Sequence, residues 1–167
     1  LMRVQSRPGG RPNLAIAQLD VANREAASPF HGQADTVICL NVIEHIEDDA
    51  NALKNIHSLL EPNGRALILV PEGQGIFNAL DEELGHFTRY SEEQLRQRMV
   101  QAGFEVEKTI QFNRVSRPGW WLSGSVMKRR TVPRFQLKVF DRFVWLWRRL
   151  DGHLPWNPTS LIVVGKK

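Results

Sequence analysis

The sequence predicts an α/β fold built on a buried, largely parallel sheet. Two nearly all-apolar runs, residues 36–40 (Thr-Val-Ile-Cys-Leu) and 66–70 (Ala-Leu-Ile-Leu-Val), have the character of strands covered on both faces. Segments of helical period alternate with such runs over the first two thirds of the chain. Unusual polar residues follow the runs directly: Asp20 after the first, Asn41-Val42-Ile43-Glu44-His45 after the second and Pro71-Glu72-Gly73 after the third. In open α/β sheets ligands sit outside the carboxyl ends of the strands, so three successive strand ends of this kind favour a ligand site.

Each element has its own signal. Residues 14–19 form a short strand ending at Asp20, and 36–40 form the next. A helix is expected over about 48–60, with Leu53, Ile56 and Leu60 on one face and acids in its first turn; Pro62-Asn63-Gly64 stops it. The strand 66–70 closes at Pro71. Ser91 and Gln94 match a capping box, Leu95 and Met99 lie four apart, and Gly103 supplies a stop, so a helix spans 91–103. Residues 104–111 read as a strand, 135–150 as one helix with Phe135, Val139, Phe143 and Leu146 on one side, and 161–164 as the final strand. The count is five strands, three main helices and one long insertion.

Composition narrows the function classes. The chain has 167 residues, 42% of them hydrophobic, which fits a single packed domain. One cysteine excludes a disulfide framework or a Cys-rich zinc module. No run reaches 18 apolar residues, and residues 1–12 carry Arg3, Arg7 and Arg11 with no apolar core behind them; a cytoplasmic location is expected. Net charge is +4, but between Arg114 and Arg149 ten basic residues face one acid, Asp141, and four of the five tryptophans lie there too. The expected division is an α/β core over 12–111 and 158–167, with 112–157 a basic, Trp-rich helical insertion of the single domain 1–167. The insertion can cap the core, line an acceptor pocket or lie on a membrane surface. A buried sheet without an RNA-binding signature argues against nucleic acid. The five histidines have no HxxH or HExxH spacing, so no metal is expected, and with no GxSxG and Cys39 inside a strand, nucleophilic catalysis is not expected.

The stretch Ala34-Asp35-Thr36-Val37-Ile38-Cys39-Leu40-Asn41-Val42-Ile43-Glu44-His45-Ile46 resembles the fourth motif of class I S-adenosylmethionine-dependent methyltransferases. As in that family, a helix and the turn Leu59-Leu60-Glu61-Pro62-Asn63-Gly64-Arg65 follow, and Leu19-Asp20-Val21 is similar to its acidic motif after the third strand. Gly85-His86-Phe87-Thr88-Arg89-Tyr90-Ser91, then Ala102-Gly103-Phe104, resembles a bacterial subgroup carrying GHxRRYS, with Thr88 where that subgroup has Arg. The resemblance covers about 12–167. It implies a Rossmann-like methyltransferase fold with strand order 3-2-1-4-5-7-6, the last strand antiparallel between its neighbours. No GxGxG loop precedes Asp20, so the chain resembles the C-terminal part of such a fold, an incomplete version with a mixed sheet and a helical insertion. It is then expected to bind S-adenosylmethionine weakly or not at all on its own, and to associate as a homodimer through the strand edge left at 36–40, with residues 14–19 irregular or paired beside it.

The resemblance also implies roles. Asp20 would accept from the adenine amino group and Val21 would offer its backbone N–H to the ring. The Leu40 carbonyl and Asn41 would lie beside the methionine part of the cofactor, with Val42 and Ile43 covering it. Glu44 would open the following helix and His45 would steady the loop. Methyl transfer is an in-line displacement, so alignment dominates and an oxygen nucleophile must lose its proton. His86 is the candidate base, or else it holds its loop. Arg89 and Tyr90 are the acceptor-binding candidates, Arg89 toward an anionic group or toward Glu82 or Glu83. The acceptor is expected to be a small molecule or a glycan- or lipid-linked compound; the competing class is a non-catalytic interaction or membrane-surface module that keeps the fold.

Overall fold

The computed structural model describes residues 18–131 and 134–167. After a single turn, α1 (Arg24–Ala27), come β1 (Ala34–Leu40), α2 (Asp49–Leu59), β2 (Leu60–Pro71), α3 (Ala79–Leu84), α4 (Glu92–Gln101), β3 (Glu105–Phe112), α5 (Ser116–Trp121), α6 (Arg134–Arg142), α7 (Val144–Leu150) and β4 (Ser160–Lys166). The sheet order is β1-β2-β4-β3, with β1 and β2 parallel and β4 antiparallel to both its neighbours. This is the expected 4-5-7-6 half of the sheet. Of the strand expected at 14–19, residues 14–17 lie outside the described residues, while Gln18 and Leu19 have no regular structure.

The core forms on one face. Ile68 and Val70 of β2 and Leu161 and Val163 of β4 are buried against Leu53 and Ile56 of α2 and Leu95 and Met99 of α4. Both helices start from side-chain caps: Asp48 accepts from the Asn51 N–H, and Ser91 and Gln94 form the expected reciprocal box. Helix α4 also approaches β4 so closely that a Cβ on Gly165 would stand 2.6 Å from Met99 Cε and 2.9 Å from Phe104 Cβ.

Among the described residues there are four strands rather than the expected five, α3 and α5 are additional helices, and two further expectations change. The 36–40 run is not covered on both faces: Cys39 is buried with the core, but Ile38 and Leu40 point the other way and are 63% and 54% exposed. The packed helices α2 and α4 lie on the Cys39 side, and alternation along a strand sends every second residue away from them. The helix expected over 135–150 is two helices, broken at Phe143, which leaves helical geometry (φ −109°, ψ 15°). The break is held by Trp147 Nε1 donating to the Phe140 carbonyl at 3.1 Å and by stacking of the two rings. The side carrying Phe135, Val139 and Phe143 faces outward rather than into a core.

Among the described residues no helix is long and apolar enough to cross a membrane. The insertion is anchored at its base: Asp151 accepts from the Asn113 and Val115 N–H groups at 2.8 and 3.0 Å, joining its start to its end.

Candidate active site

Strand β1 ends in a sharp turn. Asn41 adopts a left-handed conformation (φ 51°), which asparagine tolerates better than most residues, and its N–H still donates to the Leu69 carbonyl of β2. The chain then makes a single 3₁₀ turn, Ile43–His45, burying Ile43 and Glu44. Beyond α3, whose C-terminus is closed by Gly85 at φ 76°, His86 folds back over this turn. The Phe87 N–H donates to the Glu44 carbonyl at 2.8 Å, and the His45 and His86 rings meet edge to face with centroids 4.8 Å apart. The two motifs that the sequence singled out are therefore one site.

Asp81, fully buried in α3, organises its polar side. It accepts from His86 Nδ1 and Arg89 Nε, both at 2.8 Å, from the Asn78 N–H at 3.1 Å and from Trp120 Nε1 at 3.3 Å. Burial alone would push its carboxyl up, but the hydrogen bonds from His86 and Arg89 and the Arg89 charge outweigh this and hold it below the ordinary value. Arg89 is itself buried. It also donates to the Glu72 carbonyl at 3.0 Å and lies over the Trp120 ring, 4.8 Å from its centroid. Its ion-pair partner is Asp81 rather than the expected Glu82 or Glu83, because Asp81 is the acid that α3 turns inward. Tyr90 points elsewhere, donating to Asp49 Oδ2 at 2.7 Å, and does not line the cavity described next.

A cavity of about 730 Å³ opens over this assembly. Asn41, Glu44, His45, His86 and Arg89 form its polar floor; Leu80, Trp120, Leu122, Met127, Leu137 and Phe140 supply most of its apolar wall. The wall comes from α3, α5 with the π-helical turn Leu122–Val126, and α6. The turn packs tightly against the start of α3: a Cβ on Gly124 would lie 2.0 Å from Oδ1 of its cap, Asn78. Sequence reasoning singled out neither Asp81 nor Trp120. The Asn78 cap with Asp81 three residues on is the signal that could have located α3, though not its inward acid.

Of the residues assigned by resemblance to S-adenosylmethionine, Leu40, Asn41 and Val42 lie at the end of β1, while Asp20 and Val21 lie in a turn packed beside α2. Asn51 and Asn55 of α2 donate to the Ala22 and Val21 carbonyls, each at 2.8 Å, fixing the Asp20–Ala22 turn beside α2. Asp20 is exposed, and its Oδ1 holds the turn through the Ala22 N–H at 3.0 Å, leaving Oδ2 for an amino group. Leu40 and Val42 flank Asn41 as exposed apolar side chains, surface suited to a flat ring and an aliphatic chain. These residues fit the cofactor. Burial, then the nearby Glu44 charge, pushes the Cys39 thiol up to about 11, which keeps it in the thiol form.

A parallel-to-antiparallel sheet with polar loops at its carboxyl ends defines a Rossmann-like α/β domain of the kind that binds a nucleotide-bearing cofactor. A family model described as "Methyltransferase domain" matches residues 3–109, and the chain belongs to that family. Among curated proteins, the ubiquinone biosynthesis O-methyltransferase of Pseudomonas paraeruginosa is 29% identical over 55 residues; the match spans 33% of this chain and 24% of that protein. Among solved structures, an S-adenosylmethionine-dependent methyltransferase from Archaeoglobus fulgidus superposes with a TM-score of 0.56 at 15% identity, covering 93% of this chain and 68% of that one. One from Mesorhizobium loti gives 0.52 at 13% identity, covering 82% and 63%. The cyclase SpnF gives 0.55 at 14% identity, covering 90% and 56%, so this fold does not by itself fix the reaction.

Proposed function

We propose that the protein is an S-adenosylmethionine-dependent methyltransferase that methylates a hydroxyl group of an amphiphilic, lipid-linked or glycan-linked acceptor. The observation that carries this is the cavity, which joins a polar floor at the end of β1 to an apolar wall from the insertion. Bound S-adenosylmethionine supplies an electrophilic methyl group. The chain's own residues do the rest. Asp20 and Val21 hold the adenine end, and the Leu40 carbonyl, Asn41 and Val42 hold the methionine end. His86 Nδ1 donates to Asp81, which keeps Nε2 as the lone-pair nitrogen turned to the acceptor, where it can take the hydroxyl proton. Arg89, held by Asp81, positions His86 rather than pairing with the acceptor. Leu122, Met127, Leu137 and Phe140 take the apolar part of the acceptor and exclude water.

The test is transfer of a labelled methyl group from S-adenosylmethionine to hydroxylated amphiphiles by the full-length protein. Transfer that falls at least about 100-fold in His86→Ala, the usual scale of lost general-base catalysis, supports the reading. Transfer to polar acceptors with no apolar tail, at equal efficiency, refutes the acceptor class.

The outward face of α6 and α7 supports a second element of this reading, a peripheral contact with an anionic membrane. Phe135 and Trp145 are 74% and 60% exposed within a segment that carries nine net positive charges. Cosedimentation with vesicles containing phosphatidylserine, lost on Phe135→Glu with Trp145→Glu, is the expected result; retention in the double variant refutes it.

A further inference from the structure

The cavity floor holds an arrangement that methyl transfer does not require. Glu44 is fully buried, and neither of its carboxylate oxygens has a hydrogen-bond partner. A buried carboxylate without donors is costly, so its charge calls for a proton or a cation. Ligating atoms of His45 and His86 lie within 4.8 Å of Glu44 and of each other.

The tautomers of both rings are fixed by what their other nitrogens touch. His45 Nδ1 lies 3.1 Å from the Gly85 carbonyl, which only accepts, so Nδ1 carries the proton and Nε2 has the lone pair. His86 Nδ1 lies 2.8 Å from the Asp81 carboxylate, with the same consequence. Each ring therefore keeps its lone pair on Nε2, and both rings stand beside a buried carboxylate that has no hydrogen-bond partner. Carboxylate–imidazole and carbonyl–imidazole pairs are also the outer partners that orient metal-bound histidines.

We propose that Glu44, His45 Nε2 and His86 Nε2 form a binding site for one divalent transition-metal ion, Zn²⁺ fitting the donor set best. Two histidines and a carboxylate are a recurrent three-residue zinc set that leaves a fourth position open. Tetrahedral ligands at zinc distances stand about 3.3 Å apart, and the ligating groups of these three residues, within 4.8 Å of one another, reach that spacing by side-chain adjustment. All three line the cavity, so the open position faces it. The donors come from the turn after β1 and the loop after α3, which is why no HxxH spacing announces them. The site stands without the functional reading above. Where that reading also holds, an ion held there would bind the acceptor oxygen and lower its pKa, its proton would pass to water, and His86 would serve as a ligand rather than as the base.

The experiment is Zn²⁺ titration of the metal-free chain against a chromophoric chelator, with Co²⁺ absorption as a second readout. One equivalent is expected to bind, and Glu44→Gln, His45→Ala and His86→Ala are each expected to weaken it at least 10-fold. The exposed His153→Ala control should leave it unchanged. Failure of the wild-type chain to bind an equivalent, or equal affinity in Glu44→Gln, overturns the proposal. A measurement that needs no variant is the ring ¹⁵N spectrum: Zn²⁺ should shift Nε2 of two histidines and leave their Nδ1 protonated, and unmoved rings also overturn it. A negative metal result with His86→Ala still inactive in methyl transfer leaves the proposed function intact and removes only the ion.

Discussion

Tyr90 Oη donates to Asp49 Oδ2 at 2.7 Å, while Arg98 of α4 pairs with the other oxygen of the same carboxylate. Asp49 thereby ties the segment after the cavity loop and α4 to the first turn of α2. Burial, then the Asp49 hydrogen bond, raises the Tyr90 hydroxyl well above the ordinary tyrosine value, so it remains a donor at any working pH. Tyr90→Phe leaves a buried carboxylate oxygen unpaired and should cost about 1–2 kcal/mol in urea unfolding. Because Tyr90 does not line the cavity, acceptor KM should not change.

Asp81 carries a larger expectation. Asp81→Asn leaves the buried Arg89 guanidinium without its counter-charge, and breaking a buried pair from one side costs about 3–5 kcal/mol. The same change loosens His86. The loss of stability should exceed that of Tyr90→Phe in parallel unfolding curves.

Glu72, at the carboxyl end of β2, has its pKa pushed up to about 7 by burial and then by the nearby Glu92 charge. The folded chain keeps a proton that the unfolded chain releases near 4.5, so this group's contribution is complete below about 4.5 and is lost as pH rises through about 7. Glu72→Gln should flatten that part of the stability profile and be the more stable protein at pH 8, read by thermal melts across pH 4–9.

Gly165→Ala tests the packing of α4 on β4. The added methyl meets Met99 Cε and Phe104 Cβ well inside contact distance, and overpacking of a dense core costs about 1–3 kcal/mol. A shift of the urea midpoint to lower concentration is expected, with the slope unchanged.

Strand β1 pairs only with β2 among the described residues, and it carries exposed Ile38 and Leu40. Association of two chains through this edge should give a dimer by light scattering at micromolar concentration. Ile38→Lys should return it to monomer.

The sheet was legible because its buried runs and capping signals are local: 36–40, 66–70 and 161–164 sit inside β1, β2 and β4, and Ser91 starts α4 where its box predicts. The two loops of the site were legible too, residues 41–45 as polar residues placed directly after a strand and 85–91 through the motif they resemble. Their contact was not, since the Phe87 to Glu44 bond spans 43 positions and depends on how α3 folds back. For the same reason no spacing rule pointed to Glu44, His45 and His86 as a group. The break at Phe143 escaped because the apolar period runs on through it, and the Trp147 to Phe140 hydrogen bond that fixes it is a tertiary choice.

The cavity's floor and roof come from different stretches of chain. The floor is built by the sheet and its first loops; the roof is the segment between β3 and β4, whose two ends are clasped by Asp151. A loop joined at its base can be exchanged without disturbing the strands it leaves and re-enters. If the proposed acceptor pocket holds, grafting residues 113–157 from a related domain, with Trp120 kept against Asp81 and Arg89, should carry acceptor selectivity with it as a cassette.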